Sequence, residues 1–184
     1  YTGGDSEFRG HNGPLKIHRP KPNDPITLAF LDAGKEMGYP ITNDVSGFCQ
    51  EGFGVFDSTI HKGKRFSSAD AYLTPAQQRK NLTIITECYV KNIKFDGNTA
   101  IGVKFSDKKN NNIEAHSSKE VILSAGAIGS PQLLMLSGIG PGNHLNQLNI
   151  TTIFDSPGVG SNLNDHPDFV LKYKCKKPVS LWPK

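Results

Sequence analysis

The sequence predicts a mixed α/β fold in which an antiparallel β-meander feeds a strand–turn–helix unit. Residues 81–124 carry strand-like runs broken by turn chemistry, with Ile101, Val103 and Phe105 alternating against Gly102 and Lys104. The apolar, partly β-branched run Val121-Ile-Leu123 then drops to Ser124-Ala-Gly-Ala127. Ser130-Pro131 follows, a hydroxyl cap and a first-turn proline, ahead of the apolar Leu133, Leu134 and Leu136, with Gly138 as the stop.

In chain order, the first twenty-odd residues read as loop with one short strand around Leu15–Ile17. Asp24-Pro25 opens a helix whose Ile26, Ala29, Phe30, Ala33 and Met37 recur at helical spacing, so this face is expected in a core. Gly38 ends it, and residues 39–50 are loop. Val55–Ile60 is strand-like with a Lys62-Gly63 turn after it, and Ser67 or Ser68 caps a further helix that Pro75 restarts or ends. The meander is expected as Leu82–Phe95, an Asp96-Gly97 hairpin turn, Thr99–Phe105, a polar loop at 107–112, and Ile113–Ser124. A short helix around His144, Leu145 and Leu148, a strand at Thr151–Phe154 and another at Phe169–Tyr173 complete the reading.

Composition excludes several classes. In 184 residues, 36% hydrophobic and 21% charged content suits a globular chain, and no apolar run approaches the roughly 20 residues a bilayer span needs. The net charge of +4 comes from scattered lysines such as Lys62, Lys64, Lys108 and Lys109, without interleaved aromatics, so no nucleic-acid partner is expected. Cys49, Cys88 and Cys175 are odd in number and far apart, which argues against a zinc site or disulfide framework and for reduced thiols in a cytoplasmic setting. Two sequons, at Asn81 and Asn149, are short enough to arise by chance.

The turn Ser124-Ala-Gly-Ala127 leaves backbone exposed to close approach. A ligand and a tightly packed neighbouring element fit it equally well on physics alone. The run Ser124-Ala-Gly-Ala-Ile-Gly-Ser-Pro-Gln-Leu-Leu-Met-Leu-Ser-Gly-Ile-Gly140, however, resembles a signature of the glucose–methanol–choline (GMC) flavoprotein oxidoreductases. Pro157-Gly-Val-Gly-Ser-Asn-Leu-Asn-Asp-His-Pro167 is similar to the family's next conserved block, in the right order. Gln50-Glu-Gly-Phe-Gly54 and Gly63-Lys-Arg-Phe-Ser-Ser-Ala69 fall where the family has them, so the resemblance extends over essentially the whole chain. Within the family, Cys175-Lys-Lys-Pro-Val-Ser-Leu-Trp-Pro183 is most similar to the choline dehydrogenase branch.

The resemblance implies a piece of a two-domain FAD-binding flavoprotein. Residues 1–64 would be partly substrate domain and connecting segments, 65–165 part of the FAD domain, and 166–184 the start of the substrate domain. It implies FAD as cofactor and oxidation of an alcohol by hydride transfer, choline to betaine aldehyde in this branch and onward to glycine betaine. Another GMC dehydrogenase or oxidase with a different primary alcohol, or a non-catalytic module keeping the scaffold, are the alternatives. The chain has no counterpart of the family's GxGxxG fingerprint or of its catalytic histidine segment. It is therefore expected to be an internal fragment, inactive alone and prone to self-association through unpaired sheet edge. The choline branch further implies membrane association of the parent, whose electron acceptor stays open.

By position in the family's pattern, Val90 would meet adenine through its backbone, and Ser124, Ala125, Gly126 and Ala127 would lie along the adenosine–ribose part of FAD. Asn162, Asp165 and His166 fall at the crossing between domains; His166 is expected in a hydrogen-bonded structural role, not as a base. Asp168 stands where choline-oxidising relatives carry a glutamate facing the trimethylammonium group, with Phe169 or Trp182 as aromatic companions. A quaternary ammonium has no N–H to donate, so an anion and aromatic faces are what can recognise it. Aspartate is one methylene shorter than that glutamate.

Overall fold

The computed structural model describes residues 7–172, 174–177 and 179. The chain divides into two compact units, Tyr1–Thr83 with Val170–Lys184, and Ile84–Phe169.

In the first unit, α1 spans Pro25–Glu36 and starts as its sequence dictates. Asp24 caps it by accepting the Thr27 N–H at 2.8 Å, Pro25 occupies the first turn, and Gly38 follows Met37 at φ +83°. The expected core face is a different matter. Phe30 is 63% and Met37 74% exposed, and the helix buries only Gly34, onto which the Phe53 ring packs. Phe53 is the hub of this contact, with the Phe30 and Tyr39 rings at 5.0 and 5.5 Å. The periodicity was sound, but this unit supplies too little apolar surface to cover the stripe.

The Asp24 cap makes a pH prediction. Its carboxyl is held below the usual range, first by the Thr27 N–H. A depressed carboxylate stabilises the fold fully above its unfolded value near ~3.9, and that contribution is lost as pH falls through the lower folded value. Titration from pH 5 to 2 is expected to show the Thr27 amide proton moving and exchanging faster before the middle of α1 does, by NMR.

No strand forms at Leu15–Ile17; the pairing is one residue later, as a single bridge in which His18 and Ser58 exchange hydrogen bonds of 2.8 and 2.9 Å. Nearby, Arg9 and Arg19 each bridge both Asp44 and Asp57, and the four side chains are largely buried. Such a closed alternation of charge compensates the desolvation each group would otherwise suffer. The strand expected from Val55 shrinks to β1 (Ile60–His61), paired with β2 (Lys64–Arg65) across Lys62-Gly63, both at positive φ as a type I′ turn requires. Ser67 and Asp70 then form a reciprocal cap, Ser67 N–H to Asp70 at 2.9 Å and Asp70 N–H to Ser67 Oγ at 3.2 Å. The helix they open is a π-turn, Ala69–Leu73, followed by α2 (Thr74–Ala76). Pro75 has no N–H to give Ala71, and the turn ahead of it widens so that Thr74 donates back to Ala69.

The second unit is built on an antiparallel sheet of β3 (Tyr89–Asp96), β4 (Thr99–Ser106) and β5 (Asn112–His116), in that spatial order. Val90 pairs with Phe105 and Ile93 with Val103, and the turn places Gly97 at φ +54°. Both outer strands are shorter than expected. Residues 82–88 carry no ladder, and β5 ends at His116, where Ser117 Oγ donates to the Glu120 carbonyl at 2.6 Å and turns the chain. Val121–Leu123 therefore forms no strand: among the described residues nothing pairs with it, and Ile122 is 80% exposed.

Helix α3 covers Gly126–Leu136, beginning well before Ser130. Pro131 thus sits inside the helix, and Ser130 caps from within, its Oγ accepting the Ala125 N–H at 3.0 Å. The stop is at Gly138 as expected, at φ +85°, where a Cβ would meet the Thr151 carbonyl oxygen at 2.5 Å. Beyond it, β6 (Ile139–Gly140) pairs in parallel with β7 (Phe154–Asp155), not Thr151–Phe154, around α4 (Gly142–Gln147). Leu145 of α4 is fully buried; Ile93, Phe105 and Leu133 are the other buried apolar side chains of this unit among the described residues. Residues 169–172 form no strand; Tyr173 lies outside the described residues.

Candidate functional site

A cleft of about 650 Å³ lies wholly within the second unit, a size in the range of small-molecule and cofactor sites. One wall is the sheet, with Val90 and Ile93 from β3, Val103 from β4, and Ala115 and His116 from β5. The connecting segment Glu120–Ala125 forms its floor, and Gly129, Gln132, Leu133 and Leu136 of α3 form the facing wall.

Local sequence explains each wall. Among the described residues β3 pairs with β4 alone, and on its other edge the Ile93 N–H donates to Ser137 Oγ; Val90 lies on the same strand. At the turn, Gly126 sits at φ +83° and lets the chain enter α3 directly from Ser124-Ala125. Nothing larger than a methyl group stands at Ala125, Gly126, Ala127 or Gly129, and the first N–H groups of an 11-residue helix start here without a side-chain cap at Ala125. The arrangement offers apolar walls for a flat ring, backbone groups at a small-residue turn for its polar substituents, and a helix start favourable to negative charge.

The structure brings together Val90, Ser124 and Ala125, which are far apart in sequence, on one cleft. Gly126 and Ala127 belong to the same turn but do not line it. Asp168 is exposed and outside the cleft, Phe169 beside it is 88% exposed, and Trp182 lies outside the described residues. His166 donates its backbone N–H to Asp165 Oδ1 at 2.8 Å; Asn162, at φ +56°, is exposed with them. Sequence reasoning missed Gly129, Gln132, Leu133 and Leu136 as lining residues. The signal was present, since with Ala125 they recur at helical spacing along one stripe. Starting the helix at Ser130 cut that stripe in two.

Comparison with known proteins agrees with this geometry. Residues 5–168 match the family described as GMC oxidoreductase. The chain is 51% identical over 179 residues to the oxygen-dependent choline dehydrogenase of Staphylococcus saprophyticus, covering 97% of this chain and 32% of that protein. It is 49% identical over 178 residues to the human mitochondrial choline dehydrogenase, covering 97% and 30%. The chain thus spans about a third of the length of these curated relatives. Among solved structures, an FAD-dependent oxidoreductase from Chaetomium thermophilum superposes with a TM-score of 0.78 at 32% identity, over 84% of this chain and 27% of that one. Pyridoxine 4-oxidase from Mesorbium loti gives 0.73 at 36% identity, over 80% and 29%. With residues 5–168 matching the family and the Ser124–Gly140 signature forming one wall of the cleft, the chain belongs to the GMC oxidoreductase family.

Proposed function

We propose that these 184 residues are the middle of an FAD-dependent alcohol dehydrogenase that oxidises choline to betaine aldehyde, and that the cleft receives the adenosine half of FAD. The observation that carries this is the meeting of Val90 with the Ser124-Ala125 turn at one apolar cleft. The high identity to choline dehydrogenases supports the substrate. Bound FAD supplies the hydride acceptor. The chain's own contribution is to hold its adenosine end: Val103, Leu133 and Leu136 exclude water from the ring, and the small-residue turn admits ribose and phosphate. No residue here is assigned as catalytic; the base belongs to sequence beyond this segment. The FAD-domain part of this reading, residues 65–165, overlaps the unit Ile84–Phe169, which ends four residues beyond it, while residues 65–83 belong to the other unit; the segments on either side lead into the substrate domain. The exposed apolar Ile122 and Ile128 favour self-association of the segment alone.

The test is anaerobic. The full-length polypeptide containing this segment is loaded with FAD, and its flavin absorbance is followed on adding choline. Rapid bleaching supports the reading; bleaching only with another alcohol sinks the choline assignment; no bound flavin sinks the enzyme. Asp168 supplies the anion for the trimethylammonium group, its shorter side chain being the feature that favours a different alcohol as second reading. Asp168→Asn is expected to raise KM for choline about tenfold, the worth of a partly screened charge contact. KM for the neutral isostere 3,3-dimethyl-1-butanol should stay unchanged. An equal rise for both alcohols would remove Asp168 from the site.

A further inference from the structure

Ser137 lines neither wall of the cleft but holds both. Its buried hydroxyl accepts the Ile93 N–H at 2.8 Å and donates to the Leu133 carbonyl at 2.6 Å. Ile93 is on the sheet wall and Leu133 on the helix wall. One oxygen atom therefore ties β3 to the last turn of α3. The Ile93 amide is one that β4 does not take, and it is buried, so without the hydroxyl it has no partner. Leu133 keeps the backbone N–H of Ser137 at 3.1 Å, so loss of the hydroxyl frees the sheet side of the contact first.

We propose that Ser137 is a positioning residue for the cofactor, setting the gap between the two apolar walls and with it the affinity for the flat ring between them. This rests on the reading of the cleft given above. Wall spacing matters at this scale because a gap of about 0.5–1 Å forfeits a quarter to a half of each dispersion contact. The neighbouring Gly138 and the α3 stop can satisfy helix termination without this hydroxyl, which is why a role in merely ending the helix does not account for a bond that crosses to β3.

The experiment uses the full-length polypeptide containing this segment, as wild type, Ser137→Ala and Ser137→Thr. Calorimetric Kd values for ADP and FAD are measured well below each melting temperature, together with hydrogen exchange at the Ile93 amide. Ser137→Ala is expected to speed exchange at Ile93 and to weaken both ligands about tenfold. Ser137→Thr, which keeps a hydroxyl, should restore both. If Ser137→Ala lowers the melting temperature and frees the Ile93 amide while Kd stays at the wild-type value, the hydroxyl is structural only and the proposal is overturned. If the wild-type chain binds neither ADP nor FAD, the cleft reading falls and the proposal with it; binding by wild type that the alanine variant matches overturns the proposal alone.

Discussion

Ala125→Leu is expected to weaken FAD binding by on the order of 100-fold, with the protein still folded. Ala125 precedes α3 at φ −87°, a conformation any L residue adopts, and its side chain is exposed on the cleft. Leucine there adds three carbons to the space proposed for the cofactor and none to the packed interior. Overfilling a fitted site costs about 1–3 kcal/mol, and its upper end corresponds to roughly two decades in Kd. Ala127→Leu is the internal control, since Ala127 belongs to the same turn but does not line the cleft. The measurement is flavin fluorescence quenching on titration of each variant with FAD. Equal affinities for wild type and Ala125→Leu would place the adenosine half elsewhere.

That pairing of variants also shows what the sequence could and could not reveal about the site. Local signatures mark a strand at Val90 and a small-residue turn at Ser124-Ala125, and only their place in the family's pattern named them as cofactor contacts. Their meeting depends on the sheet folding back against α3, which no local pattern encodes. Gly126 and Ala127 share the turn's composition with Ala125, yet only the point at which the helix begins decides which methyl faces the cleft. Ser130-Pro131 gave the wrong starting point because a serine can cap from inside a helix as well as from its end, as its bond to the Ala125 N–H shows.

Elements whose hydrogen bonds are local were legible from residue type. Asp24-Pro25 and Gly138 bound their helices as their chemistry requires, and the Lys62-Gly63 and Asp96-Gly97 turns lie where expected. Elements that need a distant partner are shorter than their composition suggests, or absent. Val121–Leu123 has a strand's composition, but a strand is a pair, and its second member is missing from the described residues. The same reasoning explains α1, whose apolar stripe is regular while only Gly34 of the helix is buried and Phe30, though against the Phe53 ring, stays mostly exposed. Composition reports what a segment can bury; the amount actually buried is a property of its neighbours.

Leu145 is where that distinction has the largest effect on stability. It is 0% exposed, the one large side chain among the described residues that is fully enclosed. Its own N–H donates to Pro141, and its carbonyl accepts from Leu148 and Ile150, so the side chain closes a knot of backbone bonds between β6 and β7. Leu145→Ala removes buried methyls and leaves a cavity, a change that costs about 2–5 kcal/mol. Against a typical total of ~5–15 kcal/mol for a whole domain, this is a large fraction. At roughly 4–8 °C per kcal/mol for a unit of this size, the melting temperature is expected to fall by about 8–40 °C, read by calorimetry. Leu148→Ala, three residues on at an exposed position, should change it by no more than a few degrees. A small shift for Leu145→Ala would mean that β6, α4 and β7 are not part of the cooperative core. The wall carried by α3, which runs directly into β6, would then lack the support the cleft requires.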